Sequence, residues 1–190
     1  MIRYVLLLLF IGLAWGQNCT ADDGTEGIEL WGECYSIENT DSLNLSNSGL
    51  TGEILPEIGN LTNLTHLRLN GNQLTGEIPS EIWNLLNLTR LSLGGNYFTG
   101  EISSEIGNLT YLNYLHLGHN EFIGEIPPEI GNLTNLYFLY LNNNQLTGVI
   151  PDEICNQGDS SLYLGNNQLC PPYPSCIENY VGEQDTSDCP

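Results

Sequence analysis

The chain has 190 residues, enough for one domain, and 23 acidic residues against three Lys and Arg give it a net charge of −20 at pH 7. A surface this acidic repels phosphate groups, so we expect no nucleic-acid partner and no binding to anionic lipid. The six cysteines form an even set, which is typical of exported, disulfide-bonded proteins.

Residues 1–16 have the pattern of a secretory signal peptide. Arg3 supplies the positive start, residues 4–13 are apolar apart from Gly12, and Ala-Trp-Gly at residues 14–16 offers small residues where signal peptidase cleaves. No stretch of the chain reaches the ~20 apolar residues of a membrane-spanning helix. We therefore predict a secreted or cell-surface protein without membrane insertion, whose mature chain begins near Gln17.

Residues 17–42 precede the first regular segment and hold two cysteines, Cys19 and Cys34. We predict that these two form a disulfide in an N-terminal cap, with residues 22–31 lying over the open edge of the core behind it. The next cysteine is Cys155. The disulfides therefore stabilise the two ends of the chain, and another feature must hold its middle.

The middle of the chain, residues 43–169, is an internal repeat with a period of 24 residues. One copy, residues 61–82, reads LTNLTHLRLNGNQLTGEIPSEI. One asparagine recurs at the same place in successive copies, the last after a one-residue deletion, at Asn72, Asn96, Asn120, Asn144 and Asn167. Such a repeat predicts a stack of about six coils, each burying its apolar side chains against the next.

Each copy has the pattern of a short strand, a turn and a return segment. Leu67 and Leu69 alternate with the outward residue Arg68, as in a strand with one buried face. Asn72 follows where the chain turns, and its amide can pair with backbone groups of the neighbouring coil that would otherwise be buried unpaired. A glycine and a proline then favour a bend and a stiff return.

This repeat resembles the 24-residue, plant-type extracellular leucine-rich repeat, over roughly residues 35–170. That family includes plant receptor-kinase ectodomains and polygalacturonase-inhibiting proteins. The resemblance implies an α/β-type leucine-rich-repeat solenoid that is in practice mostly β, with one strand per coil and irregular or 3₁₀ returns. Its coils form a right-handed, curved stack with one parallel β-sheet on the concave face and disulfide caps at the ends.

Some positions depart from the repeat. In the first coil Ser48 stands where the asparagine belongs and Leu55 where the proline belongs, and in the third coil Ser103 replaces the proline. Terminal coils of a solenoid are expected to be atypical because they end its core.

The C-terminal cap, residues 170–190, also resembles the cap of secreted bacterial repeat proteins, which suggests a bacterial version of the fold. Cys176 falls nearly one coil after Cys155, and this register favours the pairs Cys155–Cys176 and Cys170–Cys189. Four cysteines allow three pairings, so the connectivity stays open at this point.

The outward strand positions are the candidate binding surface. In a stack of coils, the residues that flank the strand leucines form columns across the concave face. Both arginines of the mature chain and all three histidines fall in these columns, followed by aromatic residues towards the C terminus. The candidate ligand-binding residues are His66, Arg68, Arg90, Tyr114, His116, His119, Phe138, Tyr140 and Tyr163.

These residue types favour a protein or peptide ligand, because arginine and aromatic side chains carry much of the binding energy at interfaces. Arg68 and Arg90 would hold a carboxylate, and the aromatic patch an apolar side chain. The resemblance implies the same face and, in some plant members, paired arginines for a peptide's C terminus. In those members the pair lies on one strand, whereas Arg68 and Arg90 belong to adjacent strands. The oligomeric state stays open.

Three other kinds of binding stay open. Tyrosines and asparagine amides suit a polysaccharide or cell-wall carbohydrate. A regular solenoid face can bind ice, although the bulky and charged concave columns argue against ice there. On the opposite side, calcium could bridge stacked carboxylates in an adhesion scaffold, because it prefers oxygen ligands. These carboxylates form two ladders, Glu53, Glu77, Glu101 and Glu125, and Glu57, Glu81, Glu105, Glu129 and Asp152 with Glu153.

We expect no catalysis, no cofactor and no metal site. The even cysteine count leaves no spare thiol, and no serine recurs beside a histidine and an acid. His116 and His119 are separated by ~10 Å along a strand, too far to share a metal without further ligands. Asparagines that a eukaryote could glycosylate occur at Asn18, Asn44, Asn60, Asn63, Asn87, Asn108 and Asn132.

Overall fold

The structure is a computed structural model that describes residues 18–157, 161–178 and 180–190. The predicted signal peptide, residues 1–16, lies outside the described residues. Within them, no helix has the length and apolar character needed to cross a membrane.

The N-terminal cap is a small antiparallel sheet of three strands, β1 (Asn18–Thr20), β2 (Glu26–Leu30) and β3 (Glu33–Ser36). A disulfide joins Cys19 to Cys34, the pair expected from the sequence. Ile28 and Leu30 of β2 are buried and belong to the main hydrophobic core. The cap therefore covers the open end of the first coil.

The concave face is a parallel sheet with one strand from each coil. Its strands are β4 (Ser42–Asn44), β6 (His66–Arg68), β8 (Arg90–Ser92), β10 (Tyr114–His116), β12 (Phe138–Tyr140) and β14 (Ser161–Tyr163). The central leucines pair in register, for example Leu67 with Leu91 and Leu115 with Leu139. Because each leucine points inward, the residues on either side of it point outward.

A second strand in each coil was not expected from the sequence. The strands β5 (Thr51–Gly52), β7 (Gln73–Gly76) and β9 (Tyr97–Phe98) form one parallel sheet, and β11 (Ile123–Gly124), β13 (Gln145–Val149) and β15 (Gln168–Cys170) form another. A single bridge, Glu101 to Ile123, lies between the two sheets. The expectation of one strand per coil was wrong, because the segment after each turn stays extended and pairs with the same segment of the next coil.

The returns on the convex side are 3₁₀ helices, as predicted, at Pro56–Asn60, Ser80–Asn84, Ser104–Asn108, Pro128–Asn132 and Asp152–Gln157. Each buries an isoleucine, such as Ile82 or Ile106. Where Ser103 replaces the proline before the helix, its side chain accepts a hydrogen bond from the Glu105 N–H at 3.2 Å. The substitution therefore exchanges a stiff residue for a helix-capping one.

Buried asparagines join the coils at the turn after each concave strand. The Asn96 amide nitrogen donates to the carbonyls of Leu69, one coil back, and of Leu93 at 3.0 and 2.9 Å, and its oxygen accepts from the Leu74 N–H at 3.1 Å. The same pattern repeats along the stack at Asn72, Asn120, Asn144 and Asn167. We call these five residues the asparagine ladder.

The C-terminal cap continues this ladder with a glutamine. Gln184 donates to the carbonyls of Leu164 and Val181 at 2.9 Å and accepts from the Leu169 N–H at 3.2 Å. The disulfides Cys155–Cys176 and Cys170–Cys189, the pairing that the register favoured, hold the cap in place. The last coil thus ends with its buried backbone groups paired.

We expect Asn96→Ala to lower the free energy of unfolding by about 3 kcal/mol. The change removes two donated bonds and one accepted bond, and it leaves the buried Leu74 N–H unpaired at about 1–3 kcal/mol, while the carbonyls of Leu69 and Leu93 keep only their bonds from Asn72 and Asn120. Urea unfolding followed by circular dichroism measures the loss. Asn84→Ala, at an exposed convex position, is the matched control and should change stability by less than about 0.5 kcal/mol. Equal losses in both variants would contradict the role of the ladder.

Candidate ligand-binding face

The outward side chains of the concave sheet form two aligned columns. One contains His66, Arg90, Tyr114 and Phe138, and the other contains Arg68, Ser92, His116, Tyr140 and Tyr163. His119 lies just after β10. All nine residues singled out from the sequence therefore lie in this sheet or beside it. His66 is set apart, since its ring bonds to the Thr65 hydroxyl at 2.9 Å and is not among the residues that line the cavity described next.

An open cavity of about 370 Å³ lies over strands β6, β8 and β10. Its walls are Arg68, Asn70, Arg90, Ser92, Tyr114, His116 and His119, and its floor is Gly71, Gly94 and Gly95. No acidic side chain of the described residues lines it, although the chain has a net charge of −20. The cavity is therefore a cationic depression in an acidic protein, and an anionic group is the ligand that its charge favours.

The floor is low because glycines replace side chains that other coils carry there. Asn70 and Asn142 occupy the same column as Gly94 and Gly118. A Cβ atom on Gly94 would overlap the imidazole of His116, and one on Gly118 would lie 2.8 Å from the amide oxygen of Asn142. Sequence analysis did not single out these glycines as site residues. The feature of the sequence that could have identified them is the replacement of asparagine by glycine at this repeat position in two adjacent coils.

The two arginines carry all of the Lys and Arg charge of the described residues. Neither forms an ion pair with a carboxylate in that part of the chain. The Arg90 guanidinium carbon lies 4.3 Å from the centre of the Tyr114 ring, which holds the side chain over the face of the ring. The two arginines therefore give this part of the concave face a positive charge in an otherwise acidic protein.

An aromatic row continues from the cavity towards the C terminus. The ring centres of Tyr114 and Tyr140 are 5.6 Å apart. Those of Tyr140 and Tyr163 are 4.5 Å apart, and these two rings are nearly parallel. Phe138 lies 6.0 Å from Tyr114. Tyr140 and Tyr163 cover each other's facing sides, whereas the Phe138 and Tyr163 side chains stay 41% and 47% exposed. Burial raises the pKa of the Tyr140 hydroxyl, so that it stays protonated.

His116 lies between the floor of the cavity and the aromatic row. Its ring stacks on Tyr140 at 4.9 Å, and its buried Nδ1 pairs with no atom of the described residues. Burial lowers the pKa of His116 below its ordinary 6.5, and the nearby charge of His119 acts in the same direction. The imidazole is therefore neutral at pH 7, and its unpaired Nδ1 is buried against Gly94.

His119 forms the far wall of the cavity, and its backbone has a left-handed conformation that few residues other than glycine adopt. Its φ is 58°, in a column where other coils use glycine or asparagine, such as Asn143 with φ 57°. Its Nε2 lies 3.2 and 3.3 Å from the amide nitrogens of Asn142 and Asn143. A left-handed histidine costs about 1 kcal/mol or more, and such residues cluster at functional sites.

The acidic ladders on the other surfaces form no metal site in the described residues. No group of three or more His, Cys, Asp or Glu side chains there is placed to hold a metal ion. The carboxylates of the first ladder instead extend over the next coil, where the Glu53 side chain comes within 2.8 Å of a Cβ position on Gly76. This packing explains why glycine recurs at that position, and it leaves the calcium alternative without a site in this part of the chain.

Family models for leucine-rich repeats match most of the solenoid. The model for two copies of the repeat matches residues 62–107, and the single-repeat model matches residues 39–61, 111–133 and 135–157. No curated protein matches the chain.

Solved plant structures share the fold. The chain is 36% identical to one in the BIR3–SERK2 complex from Arabidopsis thaliana, with a TM-score of 0.62, covering 78% of this chain and 76% of that one. It is 35% identical to the plant peptide hormone receptor RGFR1 in complex with RGF2, with a TM-score of 0.67, and the match covers 91% of this chain and 29% of the receptor chain. It is 40% identical to a plant ice-binding protein, with a TM-score of 0.61, and the match covers 63% of this chain and 39% of that protein.

The chain belongs to the leucine-rich-repeat proteins, and its repeat is of the plant type found in receptor-kinase ectodomains. It spans 17% to 39% of the length of the larger ectodomains and of the ice-binding protein that it matches. The bacterial version suggested by the C-terminal cap is not supported by these relatives. Ectodomains of this kind are typically recognition modules and not enzymes.

We expect Gly94→Ala to raise the pKa of His116 towards 6.5, because the new methyl group displaces the imidazole from its buried position. In the parent the buried neutral ring stabilises the fold above pH 6.5, and this contribution is lost as the pH falls through the lowered pKa. NMR titration of the imidazole signals measures both values.

Gly165→Ala is the matched control for this prediction. It lies in the same column, and its new Cβ would make an ordinary contact of 3.5 Å with the Gly182 Cα. The His116 titration should be unchanged there. A midpoint that is the same in the parent and in Gly94→Ala would mean that the glycine floor does not set the environment of His116.

Proposed function

We propose that this protein is a secreted recognition module that binds a protein or peptide through its concave face. Signal cleavage near residue 16 would leave an N-terminal cap (17–42), the repeats (43–169) and a C-terminal cap (170–190). The observation that carries the proposal is the cationic cavity, where Arg68 and Arg90 have no counter-ion within the described part of the chain and adjoin the aromatic row.

The chemistry of the face supports this assignment over a sugar ligand. Arginine and tyrosine are enriched at the centres of protein interfaces, where a charged anchor and an aromatic anchor lie side by side. A sugar ring is bound best by an open aromatic face, whereas Tyr114 and Tyr140 are covered by Arg90 and by neighbouring rings. The RGFR1 ectodomain, a relative of this chain, is a peptide hormone receptor.

The decisive variant is Arg68→Ala combined with Arg90→Ala. Each arginine supplies a charge-assisted contact worth about 1.5–3 kcal/mol, so the double variant should lose a partner's affinity by at least about tenfold. The partner is captured from native extracellular material with the mature domain as bait, and its affinity is then measured by calorimetry.

The control for this experiment is Gln73→Ala combined with Tyr97→Ala, two exposed positions on the flank formed by β7 and β9. This control should keep the parent affinity. If the arginine variant retains the partner while the flank variant loses it, binding occurs on the flank and the concave assignment fails.

Ice binding is a second candidate, favoured by the 40% identity to a plant ice-binding protein. The surface it would use is the ascending flank, which we define as residues 61–65, 85–89, 109–113 and 133–137. This flank carries no charged residue, and Thr62, Thr110 and Thr134 are exposed at equivalent positions. Asn87 and Asn135 are fixed by bonds of 2.9 and 2.8 Å to carbonyls of the preceding coil. The equivalent position of the coil between Thr62 and Thr110 is Leu86, which is 53% exposed, so the hydroxyls form an uncharged column with one apolar interruption.

Thermal hysteresis of the mature domain tests this candidate. If ice is the ligand, Thr110→Lys should remove most of the activity, because it places a charge in the ascending flank. Thr75→Lys, on the opposite flank, should retain it. A parent protein without hysteresis or inhibition of ice recrystallisation would exclude ice as the ligand.

A further inference from the structure

We propose that the ascending flank carries a second binding site, for a neutral, β-linked polysaccharide. Its platform consists of the rings of Tyr111 and Tyr137, with the amide of Asn135 between them. The site is separate from the concave face, so it goes beyond the proposed function and adds a ligand of another chemical class.

The two tyrosine rings of the flank are open to solvent. Tyr111 is 63% exposed and Tyr137 is 68% exposed. Within the described residues neither ring stacks on another ring or lies under an arginine, whereas Tyr140 and Tyr163 on the concave face stack at 4.5 Å. A sugar ring packs its C–H surface against an aromatic face, which carries partial negative charge. The flank offers two such faces.

Both tyrosines depart from the repeat at positions where the other coils are polar. The equivalents of Tyr111 are Asn63, Asn87 and Asn135, and those of Tyr137 are Thr65, Thr89 and Asn113. Because those coils fold with asparagine or threonine there, the fold does not require an aromatic side chain at either place. Large exposed apolar side chains that the fold does not need are informative about binding. The threonine column of the ice candidate consists of other residues of the same flank.

The register of the coils brings the two tyrosines to one platform. Each residue of this flank aligns with the one 24 positions earlier, as when the Tyr137 N–H donates to the Asn113 carbonyl at 2.9 Å. Tyr111 therefore lies beside Asn135 of the next coil, at the ~4.8 Å spacing of paired strands, and Tyr137 is two residues further along that coil. The Cα atoms of the two tyrosines are thus about 8 Å apart, a distance that one short oligosaccharide spans.

Asn135 supplies a fixed polar group between the rings. Its amide nitrogen donates to the Thr110 carbonyl at 2.8 Å, which holds the side chain in place. Its amide oxygen accepts no hydrogen bond from the described residues, and the side chain is exposed. That oxygen is an acceptor for a sugar hydroxyl, and the exposed hydroxyls of Thr110 and Thr134 add donors and acceptors beside it.

The absence of charge selects a neutral sugar over other ligands. The ascending flank has no charged residue, and the chain as a whole carries −20, so an acidic polysaccharide would be repelled. A protein interface centres on a continuous apolar core, whereas hydroxyls and amides separate the apolar side chains here. In a β-linked glucan the hydroxyls point outward around the edge of each ring and leave its faces as C–H surfaces. This alternation matches the rings and polar groups of the flank.

The test is calorimetric titration of the mature domain with cellohexaose and with laminarihexaose, two neutral β-linked glucans. The parent should bind at least one of them. Tyr111→Asn combined with Tyr137→Asn should lower that affinity by at least about tenfold, because both stacking faces are removed. Each change restores a residue that the repeat uses at the same position, as at Asn87 and Asn113, so the fold is kept and circular dichroism verifies it. No saturable binding of either glucan to the parent, or equal affinity in the variant, overturns the proposal.

Two control variants separate this site from the rest of the surface. Tyr97→Gln removes an exposed tyrosine from the opposite flank and restores the residue found at Gln73, and it should bind the glucans as the parent does. Arg68→Ala combined with Arg90→Ala should also keep the glucan affinity. If no glucan binds but a captured protein still depends on the arginines, the proposed function stands and this inference fails.

An acidic sugar of the same length tests the role of charge. Hexagalacturonic acid, with one carboxylate on each ring, should bind at least about tenfold more weakly than the glucan, because the acidic protein repels it. If it binds more tightly than the glucans, and the arginine variant loses that binding, the sugar site is the concave face and the flank assignment is overturned.

Discussion

The structure depends on a buried side-chain amide that pairs with backbone. At every turn after a concave strand, carbonyls and N–H groups of two adjacent coils face the core, and each would cost about 1–3 kcal/mol if left unpaired. Asparagine offers donors and an acceptor on a short side chain, so Asn96 can bond to Leu69 and Leu93 and also to the Leu74 N–H. At the C-terminal end Gln184 takes over this role. The ladder holds successive coils in one register.

That register separates the residues that build the fold from those that can vary. The leucines between the outward columns are identical from coil to coil and are buried from Leu43 to Leu139, with Leu162 of the last coil partly buried, whereas the outward positions change from histidine and arginine to tyrosine and phenylalanine. Each outward side chain is held at a strand spacing from its neighbour on a rigid sheet. A short solenoid can therefore present a cation, a neutral imidazole and an aromatic edge in a defined order without altering its core.

Charge is distributed in the same way. One ladder of acidic residues lies on the 3₁₀ returns of the convex side, at Glu57, Glu81, Glu105 and Glu129, while the two described arginines lie on the concave face in a cavity that no described carboxylate lines. The ascending flank carries no charge at all. The molecule thus presents three chemically different surfaces, and the concave one combines a cavity with an aromatic row.

Much of this follows from sequence because the repeat is local. A period of 24 residues and the alternation of Leu67, Arg68 and Leu69 are enough to place the leucines inside, the asparagines at turns, and Arg68, Arg90 and the tyrosines on one face. The disulfide-bonded ends were predicted from the positions of the cysteines, and the 3₁₀ returns were implied by the resemblance to the plant-type repeat. The inward and outward placement of side chains depends on the spacing of residues within one coil, which the sequence displays directly.

Only the tertiary structure decided the features that arise between coils. The second strand of each coil forms because backbone groups about 22 residues apart pair, and nothing within one coil indicates that pairing. The cavity exists because Gly94 lies under the His116 ring of the next coil, and the closed ring faces arise because Tyr140 stacks on Tyr163. Gln184 joins the asparagine ladder only because the cap folds back over Leu164. The sequence by itself determined which residues face outward, while contacts between adjacent coils determined what those residues form together.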